Sequence, residues 1–188
     1  MTLGDNLAIN SLASGSRAAR ITFVTDGFKP DGLDPISLQN FGNLISENHV
    51  AQAALNQVQK IQTITGGKVT LYFKDGPRNL AGSVNKTIDG GMNMDMYMLH
   101  NANVRPQGAV STFVHESSHY MRGSRGFEIG TQVDEYMAFR RELLFELGRK
   151  PTIAERQAMW LEKIVESEYY SSLPVGGELP RILQGLGG

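Results

Sequence analysis

The chain has 188 residues, a formal net charge of −1 and a hydrophobic fraction of 40%. These values are ordinary for a globular protein with one full-sized core. They exclude the dense basic surface of a nucleic-acid-binding protein, and no stretch approaches the roughly 18 apolar residues of a membrane span. Residues 1–20 lack the basic start and apolar run of a signal peptide, so we expect none there.

The sequence contains no cysteine. Disulfides, thiolate metal ligands and a cysteine nucleophile are therefore excluded. Any transition metal must be held by histidine and carboxylate side chains. A cysteine-free protein tolerates reducing and oxidising compartments alike, so the sequence leaves the localisation open.

Composition divides the chain into three parts. Residues 1–19 are rich in serine, alanine and glycine, and we predict that they are loosely ordered. Residues 20–173 carry alternating strand and helix patterns, and we predict a single domain there. Residues 174–188 are rich in glycine and proline and predict a tail.

The first elements of the domain are a strand and a long helical stretch. β-branched residues predict a strand at Arg20–Thr25. Asp34 and the proline after it form a helix-start signal, and the helical pattern continues to about Thr63. We expect a break near Gly42, with Ser46 capping the second part.

Two further strands are predicted before the middle of the chain. The first is Lys68–Phe73. After a polar, turn-rich stretch, residues alternate in character over Met92–Leu99, which predicts a half-buried strand. One face carries four methionines, which we interpret as core packing rather than as a redox or copper site; they are Met92, Met94, Met96 and Met98.

Three helices are predicted in the second half. The first covers Ala109–Met121, and the second covers Thr131–Gly148 with a glycine stop. Thr152 and Glu155 form a capping box that starts a last helix, which extends to about Tyr170. The order of elements predicts an α+β fold.

The helix at Ala109–Met121 contains the pattern HExxH, formed by His115, Glu116 and His119. Histidines four residues apart lie one helical turn apart, so both imidazoles reach one ion. The glutamate between them can reach a metal-bound water without binding the ion. A third protein ligand then leaves one position open for chemistry. We predict a zinc site with His115 and His119 as ligands and Glu116 as general base.

The third ligand must be an acid. The four histidines are His49, His100, His115 and His119, so none follows the motif. The acids close behind it are Glu128, Asp134 and Glu135. Glu128 is predicted to lie in a turn, whereas the other two lie in the first turn of the next helix. Glu135 adjoins the apolar side of that helix and is the preferred ligand, with Asp134 as the alternative.

A tyrosine or histidine donor near the metal is also expected, because such sites usually stabilise an oxygen on which negative charge develops. The candidates are Tyr136, Tyr169, Tyr170 and His100. The sequence does not separate them.

From Lys68 to Leu147 the chain resembles a zincin-fold zinc metallopeptidase of the gluzincin type. In that group HExxH is followed by a helix that donates a glutamate, often with a small residue three positions later; Glu135 and Ala138 match this pattern. The resemblance implies a small mixed sheet packed on the active-site helix, with further C-terminal helices. It also implies that Met92–Leu99 is a strand along the cleft that pairs with an extended protein or peptide substrate.

Two other zincin types fit less well. The metzincin pattern requires glycine and histidine where this chain has Arg122 and Arg125. The aspzincin pattern places an aspartate ligand after Gly-Thr and two further residues, as Asp134 does here. However, the aspzincin pattern requires a tyrosine one residue beyond Tyr136, where this chain has none. Asp134 therefore remains only an alternative third ligand.

The stretch Asp134–Gly148 is also loosely similar to small bacterial effector and polymorphic-toxin metalloproteases. This likeness implies a secreted or delivered domain, with an immunity protein or chaperone as a partner. The alternative function is a catalytically inactive zincin-like protein-binding module. Retention of Glu116 argues against it, because pure metal binding does not need that carboxylate.

Overall fold

A computed structural model describes residues 22–25, 35–74, 76–77, 79–89, 91–97 and 105–185, with side chains described from residue 40 onward. The prediction for residues 1–19 lies outside these ranges. The described part combines one small sheet with six α-helices, which confirms a mixed α+β fold. No helix in it is long and apolar enough to cross a membrane. The strands are β1 (Thr22–Thr25), β2 (Val69–Lys74), β3 (Gly82–Lys86) and β4 (Met92–Tyr97). The helices are α1 (Pro35–Glu47), α2 (His49–Thr65), α3 (Pro106–Ser124), α4 (Gln132–Leu147), α5 (Ile153–Trp160) and α6 (Glu168–Ser171).

The sheet has the strand order β1-β2-β4-β3. β1, β2 and β4 are parallel, whereas β3 is antiparallel to β4. β3 was not predicted, and it takes the edge of the sheet, which is the position Met92–Leu99 would need in order to pair with a substrate as the resemblance implies. That expectation is wrong, because β4 pairs with a strand on each side and is therefore interior.

The main core lies between the sheet and α1, α2 and α3. Three of the four predicted methionines, Met92, Met94 and Met96, are buried in it as the alternating pattern predicted, whereas Met98 lies outside the described residues. Val69, Leu71 and Phe73 of β2 are also part of it. α3 contacts β3 and β4 of the sheet and three other helices, α1, α2 and α4. The motif helix is therefore the central helix of the fold.

The predicted helical stretch is divided at Asn48 rather than at Gly42. The Asn48 side chain accepts hydrogen bonds from the backbone amides of Val50 and Ala51, so it caps α2 in the role predicted for Ser46. Gly42 is buried inside α1. A side chain that satisfies two free amides specifies a helix start more strongly than a glycine specifies a break.

The last predicted helix is interrupted. α5 begins at the predicted capping box of Thr152 and Glu155. It then widens into a π-helical turn, Leu161–Val165, and α6 restarts with Ser167 as its cap. Turns of this kind shift the register of the following residues and occur frequently at functional sites.

The packed domain extends beyond the boundary predicted at residue 173. Backbone amides of Gln132 and Val133 donate to the carbonyl oxygens of Pro174 and Val175. Leu183 is fully buried in a second core. The other buried members of this core are Tyr136, Met159, Trp160 and Ile164. The described part of the predicted tail therefore belongs to the domain.

Candidate metal centre and cleft

α3 brings the motif into the interior. The helix starts with Pro106 at its first turn, where a missing amide hydrogen costs nothing. Every residue from Ala109 to Met121 is buried, including the three ionisable residues of the motif. Buried ionisable groups are costly unless they are paired or bind a metal, so the partners of these side chains indicate what the site does.

α4 supplies those partners. The turn between the two helices contains Gly126 and Gly130, both with positive φ, which other residues rarely adopt. Thr131 then caps α4 by accepting a hydrogen bond from the Asp134 amide. This cap fixes where α4 begins and places Asp134 and Glu135 in its first turn.

Three side chains offer ligand atoms at one point. The ligand atoms of His115, His119 and Glu135 all lie within 4.8 Å of one another. Oε2 of Glu135 is 3.3 Å from Nε2 of His115 and 3.6 Å from Nε2 of His119. All three residues are buried. This buried group could hold a metal ion.

The chemistry of these three ligand atoms fits a bound cation. Oε2 of Glu135 is buried and has no hydrogen-bond partner in the described structure. Such an oxygen is expensive to bury without a partner. It lies beside the Nε2 atoms of both histidines, so an ion shared by the three would satisfy it.

At Nδ1, on the opposite side of the ring from Glu135, each imidazole contacts a further carboxylate. Nδ1 of His115 is 3.0 Å from Oε2 of Glu142, and Nδ1 of His119 is 2.7 Å from Oδ2 of Asp134. When the Nδ1 hydrogens are donated to these carboxylates, the Nε2 lone pairs are left free and face Glu135. This arrangement is typical of metal-ligating histidines.

Asp134, the alternative ligand in the sequence analysis, therefore contacts Nδ1 of His119 and is not part of the group of ligand atoms. Its side chain is fully buried and also accepts from Nε of Arg122, at 2.6 Å, and from the Gly130 amide. Glu128 is exposed in the turn and is not part of the group.

Sequence reasoning did not identify Glu142. It lies seven residues after Glu135, so the two share one face of α4, and this spacing was the available signal. Its Oε1 accepts a hydrogen bond from Ser111 on α3. The contact with His115 depends on how the two helices pack, which the spacing alone does not reveal.

The charges in this group are strongly coupled. Burial raises the pKa of Glu135, but contacts with His115 and His119 outweigh it and hold the pKa at about 2. Burial lowers the pKa of His119, but Asp134 and Glu135 outweigh it and raise the pKa to about 9. The pKa of His115 is likewise raised, against its burial, by Glu135 and Glu142. The carboxylates thus favour positive charge between them, whether it comes from protons or from a cation.

Glu116 lies next to this group without belonging to it. Its carboxylate packs against β3, where a side chain on Gly82 would come within 2.9 Å of Oε1. Burial raises its pKa, and the neighbouring His115 and His119 only partly oppose this. A carboxylate with a raised pKa beside a metal-binding group is suited to accept a proton.

An open cleft of about 220 Å³ exposes the group to ligands. Its floor contains His115, Glu116, His119 and Glu135. The remaining lining comes from β3 and the residues before it, from the turn before α4 and from α6; it comprises Leu80, Gly82, Ser83, Val84, Ile129, Gly130, Tyr169 and Tyr170.

The structure separates the tyrosines proposed as donors. Tyr169 and Tyr170 line the cleft, whereas Tyr136 is buried in the second core beside Trp160. His100 lies outside the described residues. The ring of Phe139 contacts both His115 and Tyr170. Burial, with Glu135 and Glu116 nearby, raises the pKa of Tyr170, so its hydroxyl remains a hydrogen-bond donor.

Compared with protein-family models, curated proteins and solved structures, the chain has no significant match.

Proposed function

We propose that this protein is a zinc-dependent endopeptidase, with His115, His119 and Glu135 as metal ligands and Glu116 as general base. The observation that carries the proposal is the meeting of these ligand atoms at one buried point on an open cleft, beside a separate buried carboxylate. A purely structural cluster would need neither the cleft nor the carboxylate of Glu116.

The donor set supports zinc. Two imidazole nitrogens and one carboxylate oxygen, with an open fourth position, form a common catalytic zinc site. The carboxylates of Glu142 and Asp134 orient the imidazoles as such sites require. Magnesium and calcium favour sites made of oxygen ligands, so the two histidines argue against them.

The protein side chains divide the chemistry between them. When bound, a zinc ion would polarise a carbonyl group and lower the pKa of a water molecule. Glu116 would accept the proton of the attacking water and return it to the leaving amine. We assign the Tyr170 hydroxyl as the donor for the oxygen that gains negative charge, since it lines the cleft and its ring contacts Phe139, which in turn contacts His115.

The edge position of β3 favours an extended peptide as substrate. β3 is the last strand of the described sheet, and Gly82, Ser83 and Val84 line the cleft. A peptide that adds to a sheet edge gains main-chain hydrogen bonds that do not depend on its sequence. This would place a backbone amide alongside Glu116, which packs on the same strand.

The zincin relationship belongs to this proposal. It is supported by the HExxH helix, the glutamate on the next helix and the small mixed sheet. Secretion or delivery as a toxin, and an immunity or chaperone partner, stay predictions.

Two measurements test the function. Metal analysis of the purified protein should find about one zinc per chain, as a single three-ligand site requires. The zinc-loaded protein should cleave a proteome-derived peptide library, with products read by mass spectrometry. Glu116→Gln should keep the zinc but lose cleavage by about 10²–10⁴-fold, the usual contribution of a general base.

Glu128→Gln is the matched control, because it removes an exposed acid near the cleft and should change neither quantity. Equal cleavage by Glu116→Gln and the native protein would refute the role of the base. Full zinc content without cleavage by the native protein would favour the inactive binding module.

A further inference from the structure

Apolar side chains surround the metal-binding group at the mouth of the cleft. Leu80 and Val84 contribute from the β3 side, Ile129 from the turn before α4, and Tyr169 and Tyr170 from α6. Among the described residues, no lysine or arginine lines the cleft; Lys86 lies close by over Gly123, outside the lining, and donates a hydrogen bond to the Gly123 carbonyl oxygen. The lining thus offers hydrophobic surface and no positive side chain to pair with an acidic ligand.

Ile129 is the most available aliphatic residue of this lining. It is 39% exposed, and it packs over Gly123, where a Cβ atom would lie 3.3 Å from its Cγ2. Gly123 is on α3, one turn after His119, so the helix that bears two of the metal-binding side chains also supports Ile129. Its side chain is therefore held in place while one side remains open to a ligand.

Part of the exposed apolar surface of the protein lies at this cleft. Seven large hydrophobic residues are exposed in the described part of the chain, and three of them, Phe127, Ile129 and Tyr169, lie in the turn before α4 or in α6. Ile129 and Tyr169 line the cleft itself. A cleft with exposed apolar walls gains free energy when an apolar ligand covers them.

The charged groups of the cleft also favour an apolar ligand. Glu116 and Glu135 together carry two negative charges when ionised, which repel an acidic ligand. A bound divalent cation would balance these two charges, and no other charged residue in the described part of the chain lines the cleft, since Asp134 and Glu142 contact the opposite nitrogens of the imidazoles. A neutral, apolar cleft favours an uncharged side chain, because burying a charged one without a partner is costly.

We propose that Ile129 is a specificity-determining residue and that the cleft selects peptides with a large apolar side chain, such as Leu, Ile, Met or Phe, next to the cleaved bond. This inference rests on the proposed peptidase function. Apolar contacts of this size change kcat/KM by roughly 10–200-fold. We therefore expect at least a tenfold preference for leucine over aspartate at that position.

Cleavage products provide the first test. The bonds cut by the zinc-loaded native protein in a peptide library should be enriched in large apolar residues on one side. Ile129→Lys should lose this preference and gain cleavage next to glutamate or aspartate. Ile64→Lys is the matched control, because Ile64 is exposed on α2, does not line the cleft, and should leave the profile unchanged.

Inhibitor binding provides a second test that does not need turnover. Peptide hydroxamates with leucine or aspartate side chains are titrated into the zinc-loaded protein by calorimetry. The native protein should bind the leucine compound at least tenfold more tightly, and Ile129→Lys should reduce or invert that ratio. Equal binding of both compounds by the native protein, or an unchanged ratio in Ile129→Lys, would overturn the inference.

The two proposals fail in different ways. No cleavage of any library peptide, together with a leucine preference in hydroxamate binding, would refute the peptidase function and leave the apolar selectivity of the cleft. Cleavage without an apolar preference would refute the inference and leave the peptidase function.

Discussion

Glu142→Gln should weaken zinc binding without removing a ligand. In the native protein Oε2 of Glu142 lies 3.0 Å from Nδ1 of His115, and the carboxylate is further held by Ser111. Glutamine keeps the size of the side chain and an accepting oxygen but removes the negative charge. The imidazole then becomes a weaker ligand and is less firmly oriented.

The expected loss is about 10–100-fold in zinc affinity, which corresponds to about 1.4–2.8 kcal/mol. Asp134→Asn should lose more, because its contact with His119 is shorter, at 2.7 Å, and the carboxylate is fully buried. Both affinities can be measured by competition with a chromogenic chelator. Glu162→Gln is the control, since that side chain is 65% exposed and pairs with Lys163. An unchanged zinc affinity in Glu142→Gln would refute the orienting role of this carboxylate.

Three further variants test other parts of the structure. Gly82→Ala should lower kcat/KM by about 10–100-fold at unchanged zinc content, because the added methyl group would lie 2.8 Å from the backbone oxygen of Asp95 and 2.9 Å from Oε1 of Glu116, so β3 and the carboxylate must shift relative to each other; unaltered turnover would contradict this packing. Leu183→Ala should lower the free energy of unfolding in urea by about 2–5 kcal/mol, since Leu183 is fully buried; a negligible change would mean that the C-terminal segment is not part of the core. Glu155→Gln should lower the melting temperature in a pH-dependent way. The hydrogen bond from Arg149 lowers the pKa of Glu155 from 4.5 to about 2, so its stabilisation is present above pH 4.5 and is lost as the pH falls toward 2. The difference in melting temperature from the native protein should close over that range, and a difference independent of pH would argue against an ionic contribution.

The sequence was most informative where local rules coincide with the fold. The spacing of His115 and His119 places both on one face of a helix in any context. The face of α4 then distinguishes Glu135 from Asp134, and the structure brings the former to both Nε2 atoms. The capping box at Thr152 and the glycine end of α4 are likewise local signals, and both are present.

The features that the sequence did not reveal depend on tertiary contacts. β3 consists of Gly82–Lys86, and its composition has little strand preference; it is a strand because it pairs with β4. Without it, β4 had been placed at the edge of the sheet. Glu142 acquires its role only when α3 and α4 pack together. The π-helical turn that precedes the tyrosines of α6 has no local signature of comparable strength.

The most direct test of the central claim is a crystal structure with an anomalous difference map collected at the zinc edge. The account predicts one strong peak within bonding distance of Nε2 of His115, Nε2 of His119 and the carboxylate of Glu135, about 2.0–2.2 Å from each ligand atom. The absence of a peak there in zinc-loaded protein, or a peak coordinated by Asp134 instead of Glu135, would contradict it.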